Sequence, residues 1–185
     1  KRLPIITMFL ADAAHNTENG AFKDFLMSDD DRYELEVAAW LHDCGKLTTP
    51  EYVMDKSTKL ERIVDRIELI DTRLEIMKRD AEIIKLTKLA NGENKAETVS
   101  EYEEKIKALN EAGVFLRRHN KGGESMHDDD IDKVKEWAKL QWTDQSGKTQ
   151  PLLSEDEVEN LCIVKGTLTP EERNIINNNI VATIK

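Results

Sequence analysis

LERIVDRIELIDTRLEIMKRDAEII, residues 60–84, is the stretch that decides the fold. Leu60, Ile63, Ile67, Ile70, Leu74, Met77, Ala81 and Ile84 recur at steps of three and four. An α-helix puts such positions on one stripe, and their near-heptad spacing is the seam of a coiled coil. Asn91-Gly92 breaks the pattern, and a second stripe follows at Val99, Tyr102, Ile106 and Leu109. Two apolar stripes separated by a short break predict an antiparallel helical hairpin over 58–120. Its charged outer faces are expected to be solvated surface. The hairpin is also a candidate contact for a homodimer.

Helix signals continue on both sides of the hairpin. Ile5, Ile6, Phe9, Leu10 and Ala13 predict a first helix ending before Asn19-Gly20. Ser28 is a good N-cap, followed by Asp29-Asp30-Asp31 where the helix dipole favours negative charge. Tyr33, Val37, Leu41 and Cys44 then share a face, and Gly45 suits the C′ position that ends the helix. Thr49-Pro50 reads as an N-cap and N1 pair opening a short segment through Met54. After the Lys121-Gly122-Gly123 loop, Asp128 to Asp130 can start a helix with Ile131, Val134, Ala138 and Trp142 on its buried side. Ser146-Gly147 and Pro151 mark another loop. Ser154 with Glu157, and Thr169 with Glu172 behind Pro170, have the spacing of capping boxes. Ile176, Ile180 and Ile184 carry a last helical stripe to the end of the chain. No strand alternation is evident, so the predicted class is all-α.

Composition excludes several functions. The 185 residues suffice for one domain with a core, or a domain with an insertion. Net charge is −10, with 27 Lys+Arg, which argues against broad binding to nucleic acid or anionic membranes. Cys44 and Cys162 fit a reduced, cytoplasmic protein, and are too few for a cysteine-rich zinc site. No stretch is long and apolar enough to span a bilayer. The absence of an initiator Met and of a stop signal after Ile184 suggests a piece of a longer chain.

The chemistry gathers at His42-Asp43-Cys44-Gly45-Lys46. Imidazole nitrogen and carboxylate oxygen are donors for a divalent metal, and a nearby lysine suits a phosphate. The alternative is a buried His-Asp hydrogen bond capping the helix end, suggested by the apolar run Val37-Ala38-Ala39-Trp40-Leu41 before it. Lys46 has two readings as well, phosphate neutralisation or a partner for its own helix dipole. His127-Asp128 is a second such pair, but in a polar loop, and is not expected to bind metal.

The wider words resemble a known family. Ala38-Ala39-Trp40-Leu41-His42-Asp43-Cys44-Gly45-Lys46, then Thr49-Pro50-Glu51-Tyr52-Val53, is similar to the core motif of the HD superfamily of metal-dependent phosphohydrolases. It most resembles the HD-GYP branch, whose members hydrolyse cyclic di-GMP. Lys165-Gly166-Thr167-Leu168-Thr169-Pro170-Glu171-Glu172-Arg173, with Ile175-Ile176, resembles a second segment of that branch. In typical members the two lie a couple of dozen residues apart, whereas here more than a hundred intervene. The resemblance therefore divides the chain into an N-terminal core part (1–57), an inserted hairpin (58–120), a connecting helix and loop (121–153) and a C-terminal core part (154–185).

The resemblance implies a cluster of two or three divalent ions, iron or manganese first, with magnesium, nickel or zinc as other candidates. His42 would be a terminal metal ligand, Asp43 a bridging ligand that makes it catalytic too, and Lys46 the catalytic neutraliser of phosphate charge. The substrate would be a cyclic dinucleotide or related phosphate ester. The departures are equally specific. The first ligand histidine would fall ahead of Lys1, the position of the next is held by Asn179, and further ligands would lie beyond Lys185. Metal binding by this chain is thus expected to be weak or absent, and the chain inactive alone. The alternative function is a degenerate HD module that signals or binds without catalysis. A third is an HD phosphohydrolase acting on another nucleotide or ester.

Other residues carry bland expectations. His15, with Asp12 at i, i+3 spacing, is read as a surface or boundary histidine. Arg117-Arg118-His119-Asn120-Lys121 is read as a solvated hairpin end. Trp40, Trp137 and Trp142 are expected to pack between helices, and both cysteines to fill small core positions.

Overall fold

A computed structural model describes residues 2–123 and 125–179. The described residues are all-α apart from one two-stranded hairpin. The chain forms two compact units, residues 1–50 with 174–185, and residues 51–173.

The first unit contains α1 (Leu3–His15) and α2 (Asp29–Leu41), which pack together. Pro4 opens α1, where its missing N–H is no loss. Ser28 caps α2 as predicted. Its Oγ accepts from the Asp31 N–H at 3.2 Å, and Asp31 Oδ2 accepts from the Ser28 N–H at 2.9 Å. The Arg32 guanidinium pairs with Asp12 on α1. The predicted apolar faces are mostly not covered. Phe9 is 72% exposed, Tyr33 69%, Trp40 59% and Leu41 52%, and of the α2 residues only Ala39 is buried. Two packed helices bury only the stripes that face each other, so apolar residues elsewhere on them need a further layer.

Gly45 does not end α2 in the left-handed conformation, since it is not among the glycines of positive φ. The chain instead tightens from α2 into a 3₁₀ turn, Cys44–Thr48, with Asp43 as the residue before it. Nor does Thr49 cap the next segment. α3 (Glu51–Met54) begins one residue later than predicted, and the buried Thr49 hydroxyl has no hydrogen-bond partner among the described residues.

The second unit is built on α4 (Ile67–Ala90) and α5 (Lys95–Asn120). Ion pairs Arg117–Asp71 near one end and Lys88–Glu101 near the other show that the two helices run antiparallel. Asn91 and Gly92, at φ +80°, make the turn, and Asn94 Oδ1 caps α5 through the Ala96 N–H. Ile67, Ile70, Leu74 and Met77 of the predicted stripe are buried against Leu109, Ala112 and Leu116. The stripe is shorter than its sequence. Residues 55–66 are irregular, Leu60 is buried outside any helix, and Ile63 is 94% exposed. Asn120 holds this segment: its Oδ1 accepts from the Leu60 N–H at 2.9 Å, and its backbone carbonyl accepts from the Lys59 N–H at 2.8 Å. A segment whose backbone groups are satisfied this way needs no helix.

α6 (Asp128–Ala138) buries Val134 and ends four residues before Trp142. Trp142 belongs instead to β1 (Gln141–Thr143), which pairs antiparallel with β2 (Thr149–Pro151) in the register Trp142↔Gln150. Ser146-Gly147 is the turn of this hairpin. Asp144 organises it by accepting from the Ser146 hydroxyl and N–H and from the Lys148 N–H. The strands are three residues each, too short for a readable alternation.

α7 (Glu155–Leu161) and α8 (Pro170–Asn177) start at the two predicted capping boxes. Thr169 N–H donates to Glu172 Oε2 at 2.8 Å, and Glu172 N–H to Thr169 Oγ1 at 3.2 Å. The Ile180 and Ile184 part of the last stripe lies outside the described residues. No helix among the described residues is long and apolar enough to cross a membrane.

Candidate functional site

α2 delivers His42 as its C-cap residue and Asp43 one position later. The His42 Nδ1–H donates to the Ala39 carbonyl at 2.8 Å. A carbonyl only accepts, so this bond fixes the proton on Nδ1 and turns Nε2 outward as the second nitrogen. Nε2 stands 3.0 Å from Asp43 Oδ2. Asp43 Oδ1 is 2.7 Å from Lys46 Nζ, which the 3₁₀ turn brings back over the carboxylate. The turn is tightened by the Thr48 hydroxyl, which donates to the Gly45 carbonyl at 2.7 Å.

The three predicted site residues therefore meet, with Asp43 between the two bases. The bond from Lys46 holds the Asp43 carboxyl below the usual aspartate range. The premise of a buried pair does not hold, because the side chains of His42 and Asp43 are 43% and 47% exposed. Burial cost is thus no argument for or against a metal here. Two donors converge on one point, the number from a single adjacent pair. No group of three His, Cys, Asp or Glu side chains is assembled among the described residues. The donor chemistry fits a divalent ion, and the donor count falls short of the three or more protein ligands of a catalytic site. Asn179 is described but lies past the end of α8.

The other candidates resolve into structural roles. His15 Nδ1 accepts from the Met27 N–H at 3.0 Å, closing the loop between α1 and α2. His127 precedes α6 with an uncovered side chain and no cap bond. His119 stacks on Phe115, with ring centroids 4.3 Å apart, and reaches Asp130 at 3.8 Å. Trp137 and Trp142 pack on the core, and Cys44 and Cys162 are half-buried free thiols. Burial pushes the Cys162 thiol up.

Sequence reasoning missed two buried lysines. Lys56, with a side chain 1% exposed, donates to both oxygens of Glu172 at 3.0 and 2.8 Å and to Asn160 Oδ1 at 2.9 Å. Lys59 donates to the Leu161 carbonyl at 2.8 Å, and burial pushes its ammonium below the usual lysine range. The residues themselves give little signal, since lysine at an irregular position reads as surface. The chain matches no family model, no curated protein and no solved structure.

Proposed function

We propose that the chain carries the core of an HD-type metal-dependent phosphohydrolase acting on a cyclic dinucleotide or related phosphate ester in the cytoplasm. The observation that carries this reading is the His42–Asp43–Lys46 constellation. The Ala39 carbonyl holds the imidazole by Nδ1–H, which is how a backbone acceptor orients a ligating histidine. Nε2 and a carboxylate oxygen then sit 3.0 Å apart in solvent. A divalent ion supplies, when bound, an acidified water and polarisation of the phosphoryl group. His42 and Asp43 would be two of its donors, and Lys46 would exchange the Asp43 carboxylate for a phosphate oxygen.

A second observation supports the placement of the hairpin as an insertion. Lys56, just after the first family-like segment, pairs with Glu172 in the second, 116 positions away. Thr167 Oγ1 also donates to the Lys56 carbonyl at 3.1 Å. The chain leaves and returns at one place, so the residues between can be an added element. Exposed Ile83, Leu86 and Val114 on the hairpin fit a homodimer contact. A signalling module without catalysis is favoured by Asn179, a neutral amide where the resemblance places a ligand histidine.

Titration with Mn²⁺ followed by electron paramagnetic resonance tests the proposal. Two donors predict a Kd of about 0.1–1 mM, equivalent to about 4–5.5 kcal/mol. Both His42→Ala and Asp43→Ala should abolish it. Binding that survives both changes, or none up to 10 Kd, would remove His42 and Asp43 from the metal site. Where hydrolysis of cyclic di-GMP or a model phosphodiester is measurable, Asp43→Ala should eliminate it. Binding without hydrolysis would favour the signalling module.

A further inference from the structure

A cavity of about 370 Å³ opens between α4, α5 and β1, wholly within the second unit. We propose that it binds a planar aromatic anion, with the ring against Trp142 and the acid group held by Lys105 and Lys85. This site is separate in sequence from His42, Asp43 and Lys46, and does not depend on the reading of those residues.

The walls are apolar where a ring would lie. Met77, Ala81 and Ile84 from α4 and Tyr102 from α5 line the cavity with Trp142. Trp142 also lines a second concavity, where the Arg73 guanidinium stands 5.9 Å from the indole centroid. Strand pairing with Gln150 fixes the backbone of Trp142. The indole is thus a held partition with an aromatic surface available for offset stacking.

Charge decides the sign of the ligand. Lys85, Lys88 and Lys105 line the cavity against Asp80 and Glu101, an excess of one positive charge in a protein of net −10. Lys88 and Glu101 are paired to each other at 2.7 Å. Lys85 Nζ sits 3.7 Å over the Tyr102 ring, with Glu82 at 3.9 Å. Lys105, exposed at the rim, makes no ion pair or hydrogen bond with another described side chain. It is the cation with most to gain from an incoming anion.

A second polar group comes from α5. Thr98 lines the cavity and is 4% exposed. Its hydroxyl can exchange a hydrogen bond with a polar ring atom of a ligand. The volume sits at the low end of small-molecule sites, which span about 300–1,000 Å³. It suits one or two fused rings with one acid group, and is too small for a cyclic dinucleotide.

The test uses quinoline-2-carboxylate and indole-3-acetate as probes, with quinoline and indole as uncharged controls. Two-dimensional NMR follows the Trp142 indole N–H and the Thr98 amide. Both acids should shift these signals, and bind at least tenfold more tightly than the uncharged rings, a difference of about 1.4 kcal/mol. Lys105→Glu, at an exposed position that leaves the fold intact, should weaken the acids tenfold or more and the neutral rings little. Thr98→Val should weaken both classes. Asp43→Ala should change none of these values, which separates the site from any metal centre. No shift at Trp142 up to about 5 mM acid, near the weak limit of specific binding, would overturn the proposal. So would equal affinity for acids and neutral rings, or an unchanged Lys105→Glu.

Discussion

Replacing Lys56 with Met should destabilise the second unit by about 3–4 kcal/mol. The side chains of Lys56 and Glu172 are 1% and 8% exposed, so little solvent can substitute for the lost ammonium. Lys56→Met leaves the Glu172 carboxylate buried, with the Thr169 N–H as its remaining hydrogen-bond donor. It also leaves Asn160 Oδ1 without the donor it has at 2.9 Å. Breaking a buried pair from one side costs about 3–5 kcal/mol, and methionine recovers part of that through packing. Glu172→Gln should cost about 2 kcal/mol, because an amide can still accept from the Thr169 N–H and from Lys56. The double variant should cost at least about 2 kcal/mol less than the sum, since it strands neither charge. Urea unfolding in a Trp40→Phe background reports the second unit through Trp137 and Trp142. With an m-value of about 1.5 kcal/mol/M, the Lys56→Met midpoint should fall by roughly 2 M. A loss below 1 kcal/mol, or strict additivity in the double variant, would refute the claim that this pair ties the two chain segments together.

Three further outcomes are expected. The Asp43 carboxyl should titrate below the usual aspartate value in a ¹³C-detected NMR titration, and Lys46→Met should raise it. Its depressed pKa means that its contribution to stability is present above the unfolded value and is lost as pH falls through the folded one. Asp144 should titrate at about 2, because the Ser146 hydroxyl and then the Lys148 N–H bind its carboxylate. Ser146→Ala should raise that value, and the hairpin's stabilisation by Asp144 should fade between the unfolded value of about 3.9 and about 2. Gly122→Ala should lower the thermal midpoint by the equivalent of about 1–3 kcal/mol. Gly122 sits at φ +65°, and an added Cβ would lie 2.7 Å from the Gly166 carbonyl oxygen. A midpoint unchanged on calorimetry would refute that contact.

The legible parts of the fold are those governed by local physics. Ser28, Ser154 and Thr169 announce their helices because a cap needs only residues within one turn. The hairpin of α4 and α5 is legible because its stripes repeat over many turns. The start of α4 is not. Leu60 and Ile63 continue the period, yet the backbone between 55 and 66 is held by Asn120 and by bonds to Glu61 and Asp65. Those partners lie up to 60 positions away, and a periodicity has no access to them. Trp142 lies in β1 and not on α6 for a related reason, since a helix period and a three-residue strand cannot be told apart at the helix end.

The site shows the same division. Adjacency in sequence and a helix end bring His42, Asp43 and Lys46 together, so a local motif suffices to find them. Their exposure could not be read from the apolar run before them, because Trp40 and Leu41 face outward on α2. The exposed carboxylate can be stable without metal, since the Lys46 contact and solvent already satisfy it. Metal would therefore have to compete with Lys46 for Asp43, and its net affinity is reduced by what that contact contributes. That competition makes Lys46 informative. Lys46→Met removes one competitor, so it should tighten Mn²⁺ binding if Lys46 acts only on Asp43. It should at the same time weaken any phosphate ester bound there, and the opposite movement of the two affinities is what distinguishes a phosphate-binding lysine from a helix-end partner.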